Sequence, residues 1–319
     1  MKEVFELSAQ VPLTMSGMRF DQAASELFPD FSRSRLQSWI RDGQLKIDGD
    51  QRKPKEKLIG GELLELNAEL EAQGTWEPEL IQLNIVYEDD YLMIINKPAG
   101  LVVHPAAGNQ TGTLLNALLH HAPELINLPR AGIVHRLDKE TTGLMVVAKT
   151  LESHTDLVEQ LADRTVSREY EAIAVGVMTG GGTVDAPMGR HPTQRKLMAV
   201  LSSGGKRAVT HYRVVRRYPH HTHIRVKLET GRTHQIRVHM AHIGFSLVGD
   251  ATYGKRFKIP KAANEHLIET LKAFPRQALH AAKLGLEHPG TGEYTEWTAP
   301  VPADFQHLLN ALNNGYVSE

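Results

Sequence analysis

The 319-residue chain has no cysteine, which excludes disulfides, thiolate metal sites and cysteine nucleophiles at once. It has no surplus of one charge either: the formal net charge is -1, so basicity of the whole cannot argue for nucleic acid, and only local clustering can. A run of about 18 apolar residues, the length that spans a bilayer, is missing. The opening MKEVFELSAQ lacks the apolar stretch of a secretory signal. A cytoplasmic protein without a membrane partner is therefore expected. There is no phosphate-binding glycine motif, no His-Glu-x-x-His pattern and no internal repeat. What is present is ordinary for a folded chain, with 41% apolar and 23% charged residues. Its length suggests about two domains.

Residues Phe20–Phe28 place apolar side chains at helical spacing, and Pro29-Asp30 ends the run. A second helix can begin at Ser32 or Ser34, with Leu36, Trp39 and Ile40 on one side and Gly43 as its stop. A short alternating strand follows, closed by Asp48-Gly49, and Glu62–Asn67 reads as its partner. Arg33, Arg35, Arg41, Lys46, Arg52, Lys53, Lys55 and Lys57 crowd this small helix-helix-sheet unit. A polar stretch, Glu69–Glu79, reads as a linker, and a second domain begins near Asn84.

In that second domain, strands are expected at Tyr91–Asn96, Leu101–His104, Leu144–Ala148, Arg168–Val175, Leu197–Leu201, Ala208–Val215, Ile224–Leu228, Leu279–Leu286 and Tyr294–Trp297. Helices are expected at Leu114–His121 behind a Thr113 cap, and after Thr150 with a stripe of Leu151, Leu157, Val158 and Leu161. Lys258–Lys272 reads as a surface insertion with a short helix, and Asp304–Leu312 as a terminal packing helix. Strands and helices do not alternate regularly enough for a doubly wound or barrel fold, so the class is α+β.

Gly132–Gly143 sets Arg136, Asp138, Lys139, Thr141 and Thr142 between apolar runs, where a scaffold can fix reactive groups without burying them. On that segment alone, a structural aspartate in a turn before a strand is the favoured reading. A second polar segment, Thr230–Ile243, reads as a glycine turn, a Thr233 cap and a helix whose Ile236, Met240 and Ile243 face the core. Arg237 lies off that stripe, where it can form a two-pronged pair with a carboxylate or simply be solvated. His234, His239 and His242 invite a metal, but about 100° of rotation per residue spreads them around a helix. His135 beside Asp138 mimics part of a hydrolase dyad without the glycine-rich nucleophile elbow.

Taken together, His135-Arg-Leu-Asp138, Thr141-Thr-Gly-Leu144, Arg168-Glu-Tyr170 and Gly231-Arg-Thr-His-Gln-Ile-Arg237 resemble the hallmark segments of the ribosomal large-subunit type of pseudouridine synthase. Residues 18–75 resemble the S4 RNA-binding domain, with a linker to about residue 83 and residues 1–17 as an N-terminal extension. The resemblance implies a mixed, mostly antiparallel sheet as the catalytic domain over 84–319, preceded by the small α/β S4-like domain. It implies isomerisation of uridine in large-subunit (23S) ribosomal RNA by an aspartate and base flipping, with no cofactor and no metal. Asp138 matches the catalytic aspartate, Tyr170 the tyrosine that packs on the base, and Arg237 the arginine paired with the aspartate. Arg136, His135, Arg232 and His234 match RNA-contacting or base-flipping positions, and Arg33, Arg35 and Lys55 are expected to meet phosphates. The expected partner is large-subunit ribosomal RNA or a pre-ribosomal particle, bound by a monomer. A non-catalytic RNA-binding or ribosome-assembly protein is the alternative.

Overall fold

The computed structural model describes all residues other than 1–2, 30, 32, 71–75, 107, 195 and 317–319, and the side chains of 3–5, 33, 34, 69 and 70 are also outside its description. The chain divides into two units, Met1–Trp76 and Glu77–Glu319. Among the described residues, no helix is long and apolar enough to cross a membrane.

The first unit runs β1 (Glu3–Gln10), α1 (Phe20–Leu27), α2 (Arg33–Arg41), β2 (Leu45–Ile47) and β3 (Leu63–Leu70). Its strands pair antiparallel in the order β1-β3-β2. Phe20, Ala23 and Ala24 of α1 and Leu36 and Ile40 of α2 pack on Leu45, Leu64 and Leu66, the inward positions of the alternating strands. Burying side chains the size of Phe20 or Leu36 contributes about 2 kcal/mol each. Residues 1–17 are not a separate extension, because Glu3–Gln10 is the edge strand of this sheet. Among the described side chains only Val11, just past its end, is fully buried there and Leu7 is exposed, so the strand carries little apolar signal. Ser32, one of the two expected caps of α2, lies outside the described residues.

The second unit contains β4 (Ile85–Glu88), β5 (Leu92–Lys97), α3 (Leu114–His121), β6 (Thr142–Ala148), α4 (Leu151–Asp163) and β7 (Ser167–Val175). It continues with β8 (Gly182–Asp185), β9 (Met188–Arg190), β10 (Met198–Val200), β11 (Val209–Arg217), β12 (His221–Leu228) and α5 (Gln235–His242). It closes with α6 (Glu265–Ala273), β13 (Leu279–Glu287), β14 (Tyr294–Thr298) and α7 (Ala303–Asn314). One nine-stranded sheet runs β4-β5-β6-β13-β7-β12-β11-β8, with β14 beside β13. Its pairings are antiparallel except that of β13 with β6, which is parallel and only two residue pairs long. Beyond Ala281, β13 takes β14 as its neighbour instead. β9 and β10 form a separate hairpin.

Every residue of β6 is buried, as its unbroken apolar run requires of a strand covered on both faces. Its Leu144, Val146 and Ala148 share a core with Leu92, Ile94, Leu157 and Leu284. The stripe of α4 is narrower than expected, since Leu151 and Val158 are exposed. Leu101–His104 makes no strand and keeps one bridge, from Val102 to Thr113. The segment around α6 is no surface insertion, for Leu267 and Leu271 are buried against Phe305, Leu308 and Leu312 of α7. Glu77 and Glu79 also belong to this unit: the Asn116 side chain donates to the Glu77 carbonyl, and Glu79 N–H donates to the Asn116 carbonyl.

Candidate active site

The loop carrying Asp138 is pinned at both ends by glycines that allow no side chain. A Cβ on Gly132 would stand 2.0 Å from the Ala148 carbonyl oxygen, and one on Gly143 would stand 2.2 Å from that of Ala281. Both glycines also have positive φ, 78° and 114°. Between them the loop is held from behind. Lys97, fully buried, donates to the carbonyls of Pro98, Leu101 and Lys139 at 2.8, 3.0 and 2.9 Å. Gln277 donates to Thr141 Oγ1 at 3.0 Å, and Arg276 reaches the Glu140 carbonyl at 3.3 Å. Burial lowers Lys97 to about 8, against the pull of Glu140 and Asp138.

Helix α5 supplies the facing charge. Arg237 Nη1 donates to Asp138 Oδ2 at 3.0 Å, while Nε and Nη2 grip both oxygens of Asp250 at 2.8 and 2.9 Å. Asp250 in turn accepts the backbone N–H groups of Thr252 and Tyr253 at 2.9 and 3.0 Å. Burial works to lower Arg237, but Asp250 and then Asp138 outweigh it and hold the guanidinium above its usual value. Asp250 is raised by burial and lowered by more through Arg237, so it stays ionised well into acid. Beside them, Tyr253 lies under Arg237 at 5.1 Å and bonds His234 Nδ1 at 2.7 Å. His234 Nε2 stops 3.8 Å from Asp138 Oδ1, which no hydrogen bond occupies among the described residues.

Asp138 opens into a cavity of about 630 Å³ lined by the loop, the start of α5 and strand β7. Tyr170 lines it from β7 and is 6% exposed. Burial raises its phenol, Arg168 counteracts this and Asp138 adds to it, so the ring stays neutral. A buried neutral aromatic wall with a carboxylate at its edge can stack a flat ring and act on the atom attached to it. At the turn into α5, the Gln235 side chain accepts from Arg232 N–H and Thr230 Oγ1 and donates to Val209 and Thr210, which locks Gly231–His234 onto β11.

Residues 91–242 match the family described as RNA pseudouridylate synthase. Over 312 residues the chain is 60% identical to the ribosomal large subunit pseudouridine synthase D of Pseudomonas aeruginosa (strain PAO1), spanning 98% of this chain and 97% of that protein. The chain belongs to the RNA pseudouridylate synthase family. The Escherichia coli (strain K12) protein of the same description is 56% identical over 313 residues, with 98% and 96% covered. Among solved structures, human RNA pseudouridylate synthase domain containing 4 superposes with a TM-score of 0.57 at 27% identity, covering 72% of this chain and 93% of that one.

Of the residues singled out in the synthase sequence, Asp138, Tyr170, Arg136, His135, Arg232 and His234 all line one cavity, and Arg237 reaches it through Asp138. His135 lines the cavity as a neutral ring: its Nε2 accepts the Val146 N–H of β6 at 3.1 Å, and burial, reinforced by Arg168, holds it down at about 3. The helix cap is not Thr233 but His234, left-handed at φ 57°, and α5 is buried all round rather than along one stripe. His239, weighed as a metal ligand, has both ring nitrogens taken, by Thr210 and by the Ala186 carbonyl. Arg136 is exposed at the rim, and Arg232 donates to the Arg207 carbonyl at 3.2 Å. Arg33, Arg35 and Lys55 belong to the first unit; the Arg33 side chain is outside the described residues, Arg35 lies 5.8 Å over Trp39, and Lys55 is exposed. Sequence reasoning missed Asp250, Tyr253 and Gln235. Only a search for a second carboxylate able to saturate Arg237 had any purchase on the first.

Proposed function

We propose that this chain isomerises uridine to pseudouridine at chosen positions of large-subunit (23S) ribosomal RNA, with Asp138 as the reacting carboxylate. The observation that carries the reading is the Asp138–Arg237 pair at the edge of a cavity walled by Tyr170. The near full-length likeness to proteins described as ribosomal large subunit pseudouridine synthase D supports the RNA class.

The reaction breaks the N1–C1′ bond, forms a C5–C1′ bond, and moves a proton from C5 to N1, so no atom is gained or lost. Flipping the uridine costs a few kcal/mol. Stacking on Tyr170 offsets about 1–3 kcal/mol of it. Arg237 occupies Oδ2 of Asp138 and leaves Oδ1, free of hydrogen bonds among the described residues, as the reacting oxygen. That oxygen either attacks C1′, giving a ribosyl ester, or removes a sugar proton, giving an unsaturated sugar; both routes use the same ionised, oriented carboxylate. The first unit serves as an S4-type RNA grip, its exposed Arg41, Lys46, Arg52, Lys53, Lys55 and Lys57 meeting the phosphate backbone of a stem-loop or pre-ribosomal particle.

Asp138→Asn keeps the size of the side chain and removes its charge. With purified protein and 23S ribosomal RNA, wild type is expected to form pseudouridine while D138N loses at least about 10³-fold in rate and still binds RNA. Retained turnover by D138N would sink the assignment of Asp138. Mapping pseudouridines in cells lacking the protein, then restoring it, identifies the sites.

A further inference from the structure

Strand β7 sends Arg168 and Tyr170 to the same face, two residues apart, and both line the cavity. Arg168 is 8% exposed. Its Nε is buried with no hydrogen-bond partner, and among the described residues its guanidinium makes no ion pair. The two cavity carboxylates are spoken for by other cations: Asp138 by Arg237, and Glu229 by Arg207 and His211. The charges of Glu169 and Glu171 leave β7 on its opposite face, where Glu171 pairs with His223 and Arg225. A guanidinium stays charged at every accessible pH, and holding it in a partly dry site without an anion is costly. Such a group marks a place that an anion fills.

We infer that Arg168 is the seat of a backbone phosphate adjoining the flipped uridine, an inference that rests on the function proposed above. A uracil carbonyl offers a hydrogen bond but no charge. A phosphodiester offers both, in the two-pronged geometry that guanidinium favours. Two steps along the strand separate Arg168 from Tyr170 by about 7 Å, the scale on which a nucleotide's base is separated from its own phosphate. Arg130, Arg136, Arg164 and Arg232 line the same cavity, so its charge suits a polyanion. Gly231 makes room for the seat: a Cβ there would stand 2.6 Å from Arg168 Nη1, so any larger residue pushes the guanidinium aside.

The test uses the full chain and a stem-loop RNA cut from the mapped target, unmodified or carrying one neutral methylphosphonate at the linkage 5′ or 3′ of the target uridine. Wild type, Arg168→Gln, Arg168→Lys and Gly231→Ala are compared, with circular dichroism as a check on folding. R168Q is expected to raise KM about tenfold with little change in kcat, and to lower the slope of log affinity against log salt by about 0.7. One of the two methylphosphonates should cost wild type a similar factor and cost R168Q nothing further. G231A, with the charge kept but displaced, should fall between them and remains informative if R168Q fails to fold. The inference is overturned if the losses from R168Q and from each methylphosphonate simply multiply, or if R168Q lowers kcat with KM and salt slope unchanged, which would place Arg168 on the base. Wild type making no pseudouridine in the unmodified RNA breaks the proposed function instead, and RNA affinity measured with the same proteins and the same three RNAs still decides the phosphate seat.

Discussion

On the α5 side of the cavity, Arg237 is gripped by two carboxylates; on the β7 side, Arg168 is gripped by none among the described residues. The first wall is finished before RNA arrives. Its guanidinium is saturated by carboxylates, its hydrogen bonds run on to the Thr252 and Tyr253 backbone, and its geometry does not wait for a ligand. The second wall, a neutral Tyr170 and an uncompensated guanidinium, is completed only by what enters. The difference separates two tasks that a single arginine could not perform together: orienting a reactive carboxylate and holding a substrate.

Removing the finished wall should have the largest effect. Arg237→Met strands Asp250 in a buried site, and an unpaired buried charge of this kind costs about 3–5 kcal/mol. Urea unfolding should register that loss together with abolished turnover. Adding Asp250→Asn to the same chain should return much of the stability and none of the activity. If R237M were as stable as wild type, the claim that this wall is electrostatically closed would fail. On the open wall a smaller effect is expected, and it should fall on binding. Tyr170→Ala forfeits stacking worth about 1–3 kcal/mol, or roughly 5- to 150-fold in KM, while Tyr170→Phe keeps most of it. Equal losses in the two variants would shift the role of Tyr170 from its ring to its hydroxyl.

The smallest effect concerns His135, whose neutrality keeps a second cation from crowding Arg168. The unfolded chain takes up this proton near 6.5 and the folded chain only at about 3. Its contribution to stability is therefore complete above the unfolded value and is lost as pH falls from 6.5 toward 3. His135→Gln removes the titration and keeps an acceptor for Val146. The stability difference between wild type and H135Q, read by urea unfolding, should shrink steadily as pH falls from about 7 to about 4. A pH-independent difference would mean that His135 titrates normally in the fold.

Much of this architecture is legible in one dimension because its signals are local. The helix at Leu114–His121 is marked by Thr113 and Asn116, which form a reciprocal cap, and β6 by five consecutive apolar residues. The loop around Asp138 is marked by its flanking glycines. What escaped depends on partners far along the chain. Asp250 sits in a Gly-Asp-Ala-Thr turn that reads as surface until Arg237 is laid over it. The apolar side of α6 is short, and only α7, some forty residues on, turns it inward. Helix α5 misled because a helix enclosed on every side has no single apolar stripe to read.

The two-pair parallel ladder between β6 and β13 has a consequence for how the enzyme comes into being. Asp138 precedes the first strand of that ladder and the clamps from Arg276 and Gln277 precede the second, so Tyr170, Arg168 and the start of α5, which face Asp138 in the cavity, are made of the chain between them. Asp138 meets Arg237 across 99 residues, and Gln277 meets Thr141 across 136. Contacts of such span form late in folding, because loop closure must be met before they stabilise anything. A chain still emerging from the ribosome can display the aspartate long before it can orient it, and competence to modify RNA arrives only when the last strands have docked.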